Sequence, residues 1–140
     1  MCGISGKIHL NNNSVSEQDI LAMNEKIKHR GPDDGGVYIS PDKKVGLGHR
    51  RLSIIDLSPL GHQPMSYLDR YWIVFNGEMY NFQEKREMLQ KEGYSFKSKT
   101  DTEVVLALYD KFGKKCLDHF RGMFAFAIYD EKEKTIFCAR

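Results

Sequence analysis

The order in which strand-like and helix-like periodicities follow one another restricts this chain most. A first strand is expected over Met1 to Leu10, carrying Ile4, Ile8 and Leu10 and broken by Asn11-Asn12-Asn13. Ser16, with Asp19 three residues on, forms a capping-box signature for a helix whose buried stripe would be Ile20, Met23 and Ile27. Gly31-Pro32 must end that helix near His29. Strands are then expected over Gly35 to Ser40, Val45 to Ile55 and Tyr71 to Phe75, the last stopping at Asn76-Gly77. Helices over Phe82 to Glu92 and around Val104, Val105, Leu108 and Phe112 follow, and a hairpin from Met123 to Ala139 turns at Asp130 to Lys134. Strands and helices do not alternate, which argues against a doubly wound parallel sheet and for an α+β fold rich in antiparallel sheet.

With 140 residues, 41% of them hydrophobic and 29% charged, the chain suits one compact domain over 1–140 without repeats or linkers. A net charge of +2 spread along the chain gives no electrostatic reason to expect nucleic acid or an anionic membrane as partner. No apolar run approaches the roughly 20 residues that span a bilayer, and MCGISGKIHL lacks a secretory pattern, so a cytoplasmic location is expected. Cys2, Cys116 and Cys138 make no even framework, and the five histidines lack close pairing, so neither disulfides nor a metal site is expected.

Cys2 is the most unusual position. Removal of Met1 would leave a cysteine with a free α-amine, whose ordinary pKa of about 7.7–8.0 leaves part of it unprotonated near neutrality. One residue could then supply nucleophile and base, with Gly3 leaving room beside the sulfur. Position alone is weak support, because most cysteines are inert buried side chains. Asn76-Gly77-Glu78 reads as a turn, or as an oxyanion hole built from the Asn76 amide and the Gly77 N–H. The two readings are compatible. Arg50 and Arg51 on a strand must face opposite ways, so one points inward, where a guanidinium can clamp a carboxylate. Asp101 opens a helix, as a cap or as a ligand for an ammonium group, and spacing does not separate these roles. His29 to Gly35 is a turn whose composition does not reveal whether it also lines a pocket.

The stretches MCGISG, HRGPDDGG, GHRRLSIIDLSPLGHQPM, FNGEMYNF, TDTEVVLALY and RGMFAFAIYD cover nearly the whole chain. Together they resemble the N-terminal glutaminase domain of asparagine synthetases, class II glutamine amidotransferases of the N-terminal-nucleophile hydrolase type. The resemblance implies an αββα sandwich and hydrolysis of L-glutamine to glutamate and ammonia. It assigns Cys2 as nucleophile, Asn76 and Gly77 as oxyanion hole, and Arg51 as the grip on the α-carboxylate. Glu78 and Asp101 would hold the α-amino group, and Leu52, Ser53, Ile54 and Ile55 would contribute backbone to the same pocket. No cofactor is implied for this domain; ATP and magnesium belong to the synthetase domain, the expected partner that consumes the ammonia. Met79 and Lys85 depart mildly from the family pattern. The family continues beyond the position of Arg140 into further strands and the synthetase domain, so a C-terminally incomplete glutaminase domain is expected. Two other readings remain: a fragment that at most binds glutamine or a partner, and the glutaminase half of another class II amidotransferase.

Overall fold

A computed structural model describes residues 2–140; Met1, where the first strand was expected to begin, lies outside them. Two antiparallel sheets carry the architecture. Strands β1 (Gly3–Ile8), β2 (Asp34–Ile39) and β3 (Val45–Arg51) form the first, in the order β1-β3-β2. Strands β4 (Met65–Tyr67), β5 (Tyr71–Met79), β6 (Gly122–Asp130) and β7 (Thr135–Ala139) form the second in sequence order. Helix α1 (Glu17–Lys26) covers the outer face of the first sheet, while α2 (Phe82–Lys91) and α3 (Asp101–Phe112) cover the second. The layers therefore run helix, sheet, sheet, helix.

Each layer follows from a local pattern. The Ser16 hydroxyl accepts from the Asp19 amide and the Asp19 carboxylate accepts from the Ser16 amide, so the expected capping box starts α1. The expected stripe needs correction, because Met23 is exposed and Asn24 takes the inward position. Asn24 accepts from the Ser5 hydroxyl and donates to the Gly36 carbonyl, tying the helix to β1 and β2. Gly3 also differs from expectation. A Cβ there would lie 2.9 Å from the Ile27 side chain, so its bareness serves packing under α1 rather than substrate access.

Two further expectations fail for one reason, that hydrogen bonding between distant segments overrides local signals. Asn76-Gly77 is not a turn: β5 continues through it to Met79, paired with β6 from Tyr71↔Asp130 to Met79↔Gly122. The strand expected over Val45 to Ile55 stops at Arg51, and the chain leaves the sheet as a loop. Strand β4, only three residues long, was not anticipated.

Period-two alternation sorts the side chains between two cores. Ile73, Phe75, Phe126 and Ile128 pack with Leu89, Val104, Val105 and Leu108 beneath the helices. Val45, Leu47, Val74 and Tyr129 form the layer between the sheets, with Ile4, Trp72 and Ala127 against them. His49, in phase with Val45 and Leu47, crosses that layer and places its Nε2 3.1 Å from the Phe75 carbonyl. A carbonyl can only accept, so Nε2 carries the proton and Nδ1 is the bare nitrogen, buried without a partner among the described residues.

Burial, only partly offset by the Phe75 carbonyl, pushes the His49 pKa down to about 4. The unfolded chain then binds the proton more readily than the folded one. Stability should therefore fall as pH drops from about 6.5 towards about 4, by an amount on the order of 3 kcal/mol for this residue alone. Urea unfolding at pH 7 and pH 4.5 checks this: the loss should be clearly smaller in His49→Gln, and an equal loss in both proteins would contradict it.

Candidate active site

The same alternation that fills the inter-sheet layer opens it at one end. Arg51 lies in phase with Val45, Leu47 and His49, and Cys2 in phase with Ile4, so both face the second sheet. Asn76 and Glu78 lie in phase with Trp72 and Val74 and face back. These four residues line one cavity of about 250 Å³ with Leu52, Ile54, Ile55, Gly77 and Asp101. Gly61, Phe75, Thr100, Thr102 and Met123 complete its wall. All the predicted site residues meet there except Ser53. The expectation for Ser53 concerned its backbone, and its N–H instead donates to the Asp33 carboxylate at 2.8 Å, away from the cavity wall.

The Cys2 sulfur is half-buried, 3.4 Å from the Leu52 amide nitrogen and 3.6 Å from the Leu52 carbonyl. The segment expected only as a turn holds it in place. The Arg30 Nε donates to the Cys2 carbonyl at 3.0 Å, and the Arg50 Nε donates to the Gly31 carbonyl at 3.0 Å. Asp33 accepts from Ser53 and donates its own N–H to the Arg51 carbonyl at 3.1 Å. Residues 30–33 thus grip the cysteine and the start of the 52–61 loop without lining the cavity.

Arg51 is the inward-facing arginine of the pair, 7% exposed. Its guanidinium donates to the carbonyls of Ser58 at 3.1 Å, Ile55 at 3.4 Å and Asp56. Three of its five N–H groups are thereby occupied, leaving Nε–H and one Nη1–H. Gly61 lets the loop close over this group, since a Cβ there would fall 2.0 Å from Nη2. Asp56 accepts from Ser58 and, at 2.8 Å, from the Lys99 amide, fastening the loop to the chain before α3.

Asn76 and Gly77 stand beside each other in β5. The Asn76 Oδ1 is buried without a partner among the described residues. Gly77 is needed for close approach, because a Cβ would come within 2.3 Å of the Met123 carbonyl oxygen. Asp101 is not the cap of α3: the Thr100 hydroxyl takes that role, accepting from the Glu103 amide. The Asp101 carboxylate is 5% exposed and accepts from the Met79 amide at 2.9 Å. Burial raises its pKa above the usual carboxylate range, with the Glu78 charge adding to the effect. Among the described residues no three His, Cys, Asp or Glu side chains cluster closely enough to hold a metal ion.

A cysteine, a backbone-and-amide donor pair, an arginine and two carboxylates thus converge at the end of a two-sheet layer. The fold is the αββα sandwich of the N-terminal-nucleophile hydrolases. A glutamine phosphoribosylpyrophosphate amidotransferase structure from B. subtilis superposes with a TM-score of 0.72 at 21% identity, over 93% of this chain and 35% of that one. The glutamine amidotransferase domain family matches residues 1–140, and the chain belongs to that family. Asparagine synthetase [glutamine-hydrolyzing] 1 of Bacillus subtilis is 46% identical over 100% of this chain. Asparagine synthetase B [glutamine-hydrolyzing] of Escherichia coli is 37% identical over the same 100%. The chain spans 22% and 25% of the length of these two relatives. Among the described residues no helix is long and apolar enough to cross a membrane.

Asp101 carries a stability cost in its charged form. A raised folded value means that this cost is absent at low pH and builds as pH rises through the unfolded and then the folded pKa. Asp101→Asn keeps an acceptor for the Met79 amide and removes the buried charge, so its Tm at pH 7 should equal or exceed that of the wild type. Asp101→Ala strands that amide and should cost roughly 1–3 kcal/mol. Thermal unfolding of the two variants tests this, and equal losses would contradict it.

Proposed function

We propose that this domain hydrolyses the side-chain amide of L-glutamine, with Cys2 as nucleophile, and supplies the ammonia to an asparagine-synthetase-type reaction. The observation that carries the reading is the meeting of Cys2, Asn76 and Gly77 with Arg51, Glu78 and Asp101 on one small cavity. At about 250 Å³ the cavity lies just below the ~300–1,000 Å³ of sites for drug-sized ligands, a size suited to a single amino acid. Arg51 supplies positive charge for an α-carboxylate, and Asp101 and Glu78 supply negative charge for an α-ammonium. Since Arg51 already holds three loop carbonyls, a two-pronged grip on the carboxylate displaces one of them. Substrate binding and the shape of the 52–61 loop are therefore coupled.

With Met1 removed, the Cys2 amine takes the thiol proton and the sulfur attacks the carboxamide carbon. The oxygen gains the electron pair of the C=O bond and is stabilised by the Asn76 amide and the Gly77 N–H. Collapse breaks the C–N bond, the ammonium of Cys2 returns the proton, and ammonia leaves a γ-glutamyl thioester. Water then attacks the thioester, releasing glutamate and restoring the thiol. In this reading the ammonia acceptor and the ATP and magnesium that activate it belong to a synthetase domain. A cytoplasmic location follows from the same reading.

Glutamate release from glutamine tests the proposal. The wild type should turn over, and Cys2→Ala should lose essentially all activity. Equal rates would sink the assignment. Intact mass should show Met1 removed in the active protein, because a blocked α-amine cannot serve as the base.

A further inference from the structure

The proposed oxyanion donors sit on a strand that outruns its neighbour. β5 pairs with β6 over its whole length, whereas β4 covers its other edge only from Tyr71 to Ile73. Backbone groups of alternate residues emerge on alternate sides of a strand, so those of Phe75, Gly77 and Met79 face an edge without a partner strand. The directions of two amides establish this phase: the Phe75 N–H goes to Gln63 and the Met79 N–H goes to Asp101, both off the β6 ladder. Buried backbone groups must be satisfied, and here side chains do so. The Gln63 Oε1 accepts from the Phe75 amide at 2.6 Å, and the protonated His49 Nε2 donates to the Phe75 carbonyl at 3.1 Å. Both side chains are buried. Gly77, between the two capped positions, has no side-chain partner for its N–H among the described residues, and it lies on the cavity wall.

Gln63 has a second attachment. Its Nε2 donates to the Thr102 hydroxyl at 3.4 Å, and Thr102 lies beside Asp101 on the same wall. One side chain therefore joins the strand bearing Asn76 and Gly77 to the helix end bearing Asp101.

Building on the glutaminase reading, we infer that Gln63 and His49 are positioning residues that substitute for a missing edge strand. They hold the peptide before Asn76 so that the Asn76 amide and the Gly77 N–H are aligned on the reacting carbonyl before glutamine binds. Misplacing such donors by about 1 Å is enough to cost on the order of 100-fold in rate. The effect belongs to kcat, because the transition state depends on this alignment more than ground-state binding does.

Gln63→Leu removes the acceptor for the Phe75 amide, and Gln63→Glu retains one. Steady-state glutamate release should show a kcat roughly 10- to 100-fold lower in the leucine variant, with KM for glutamine within about threefold of wild type. The glutamate variant should recover most of kcat. A KM rise at unchanged kcat, or equal losses in both variants, overturns the inference. Amide hydrogen exchange decides the clamp independently of turnover. In the wild type the Phe75 and Met79 amides should be protected and the Gly77 amide should exchange fast. In Gln63→Leu the Phe75 amide should exchange at least about tenfold faster while Trp72 and Val74, on the β6 ladder, stay protected. Acceleration along the whole ladder, or a Gly77 amide as protected as its neighbours, overturns it. Should the leucine variant not fold, the wild-type exchange pattern and Gln63→Glu still decide. A wild type that releases no glutamate overturns the glutaminase reading, while the exchange pattern continues to report on the clamp.

Discussion

The pairing of β5 with β6 over nine residues is the interaction on which the rest of the structure depends. It carries the chain straight through Asn76-Gly77, a dipeptide that in isolation would turn. By outlasting β4 it leaves a stretch of β5 edge open beneath the cavity. The first sheet then needs only its ordinary alternation to bring Cys2 and Arg51 to the same end of the inter-sheet layer. The cavity opens at a rim because both sheets stop there and the hydrophobic filling between them gives way to polar side chains.

Electrostatics at this rim follow from geometry. Arg51 is buried against loop carbonyls, Asp101 is buried against one amide, and His49 is buried neutral with a single bond to the neighbouring sheet. Each of these groups holds a neighbouring segment in place, Arg51 the 52–61 loop, Asp101 the end of β5 and His49 its middle. Asp101 in particular is held in a setting that disfavours its charge, which a ligand ammonium would relieve.

Much of this was legible in the sequence, for identifiable reasons. Cys2 stood out by position, strand alternation required one inward arginine of the pair, and the family blocks named Arg51. The capping box at Ser16 and Asp19 formed as written, because caps are local. The family blocks supplied the remaining site residues, and all but Ser53 meet at the cavity. What was missed depends on contacts between distant segments. Ser53 falls outside the wall because the chain leaves the sheet at Arg51 and the Ser53 amide is claimed by Asp33. Asn24 displaced Met23 from the helix stripe because two strands offered it hydrogen bonds. Gln63 and His49 looked unremarkable since their partner, Phe75, lies 12 and 26 residues away. A three-residue strand such as β4 carries too short a pattern to be read at all.

The central claim is that Cys2, among three cysteines, is the nucleophile of a glutamine-shaped site. Cys138 is exposed, Cys2 is half-buried at the cavity, and Cys116 is buried with a thiol pushed up to about 12. Peptide mapping after brief exposure to a diazoketone analogue of glutamine tests the claim most directly. The account predicts a single adduct on Cys2, with its α-amine free, and protection by excess glutamine. Labelling of Cys138 instead, or labelling of Cys2 that glutamine does not slow, would contradict it.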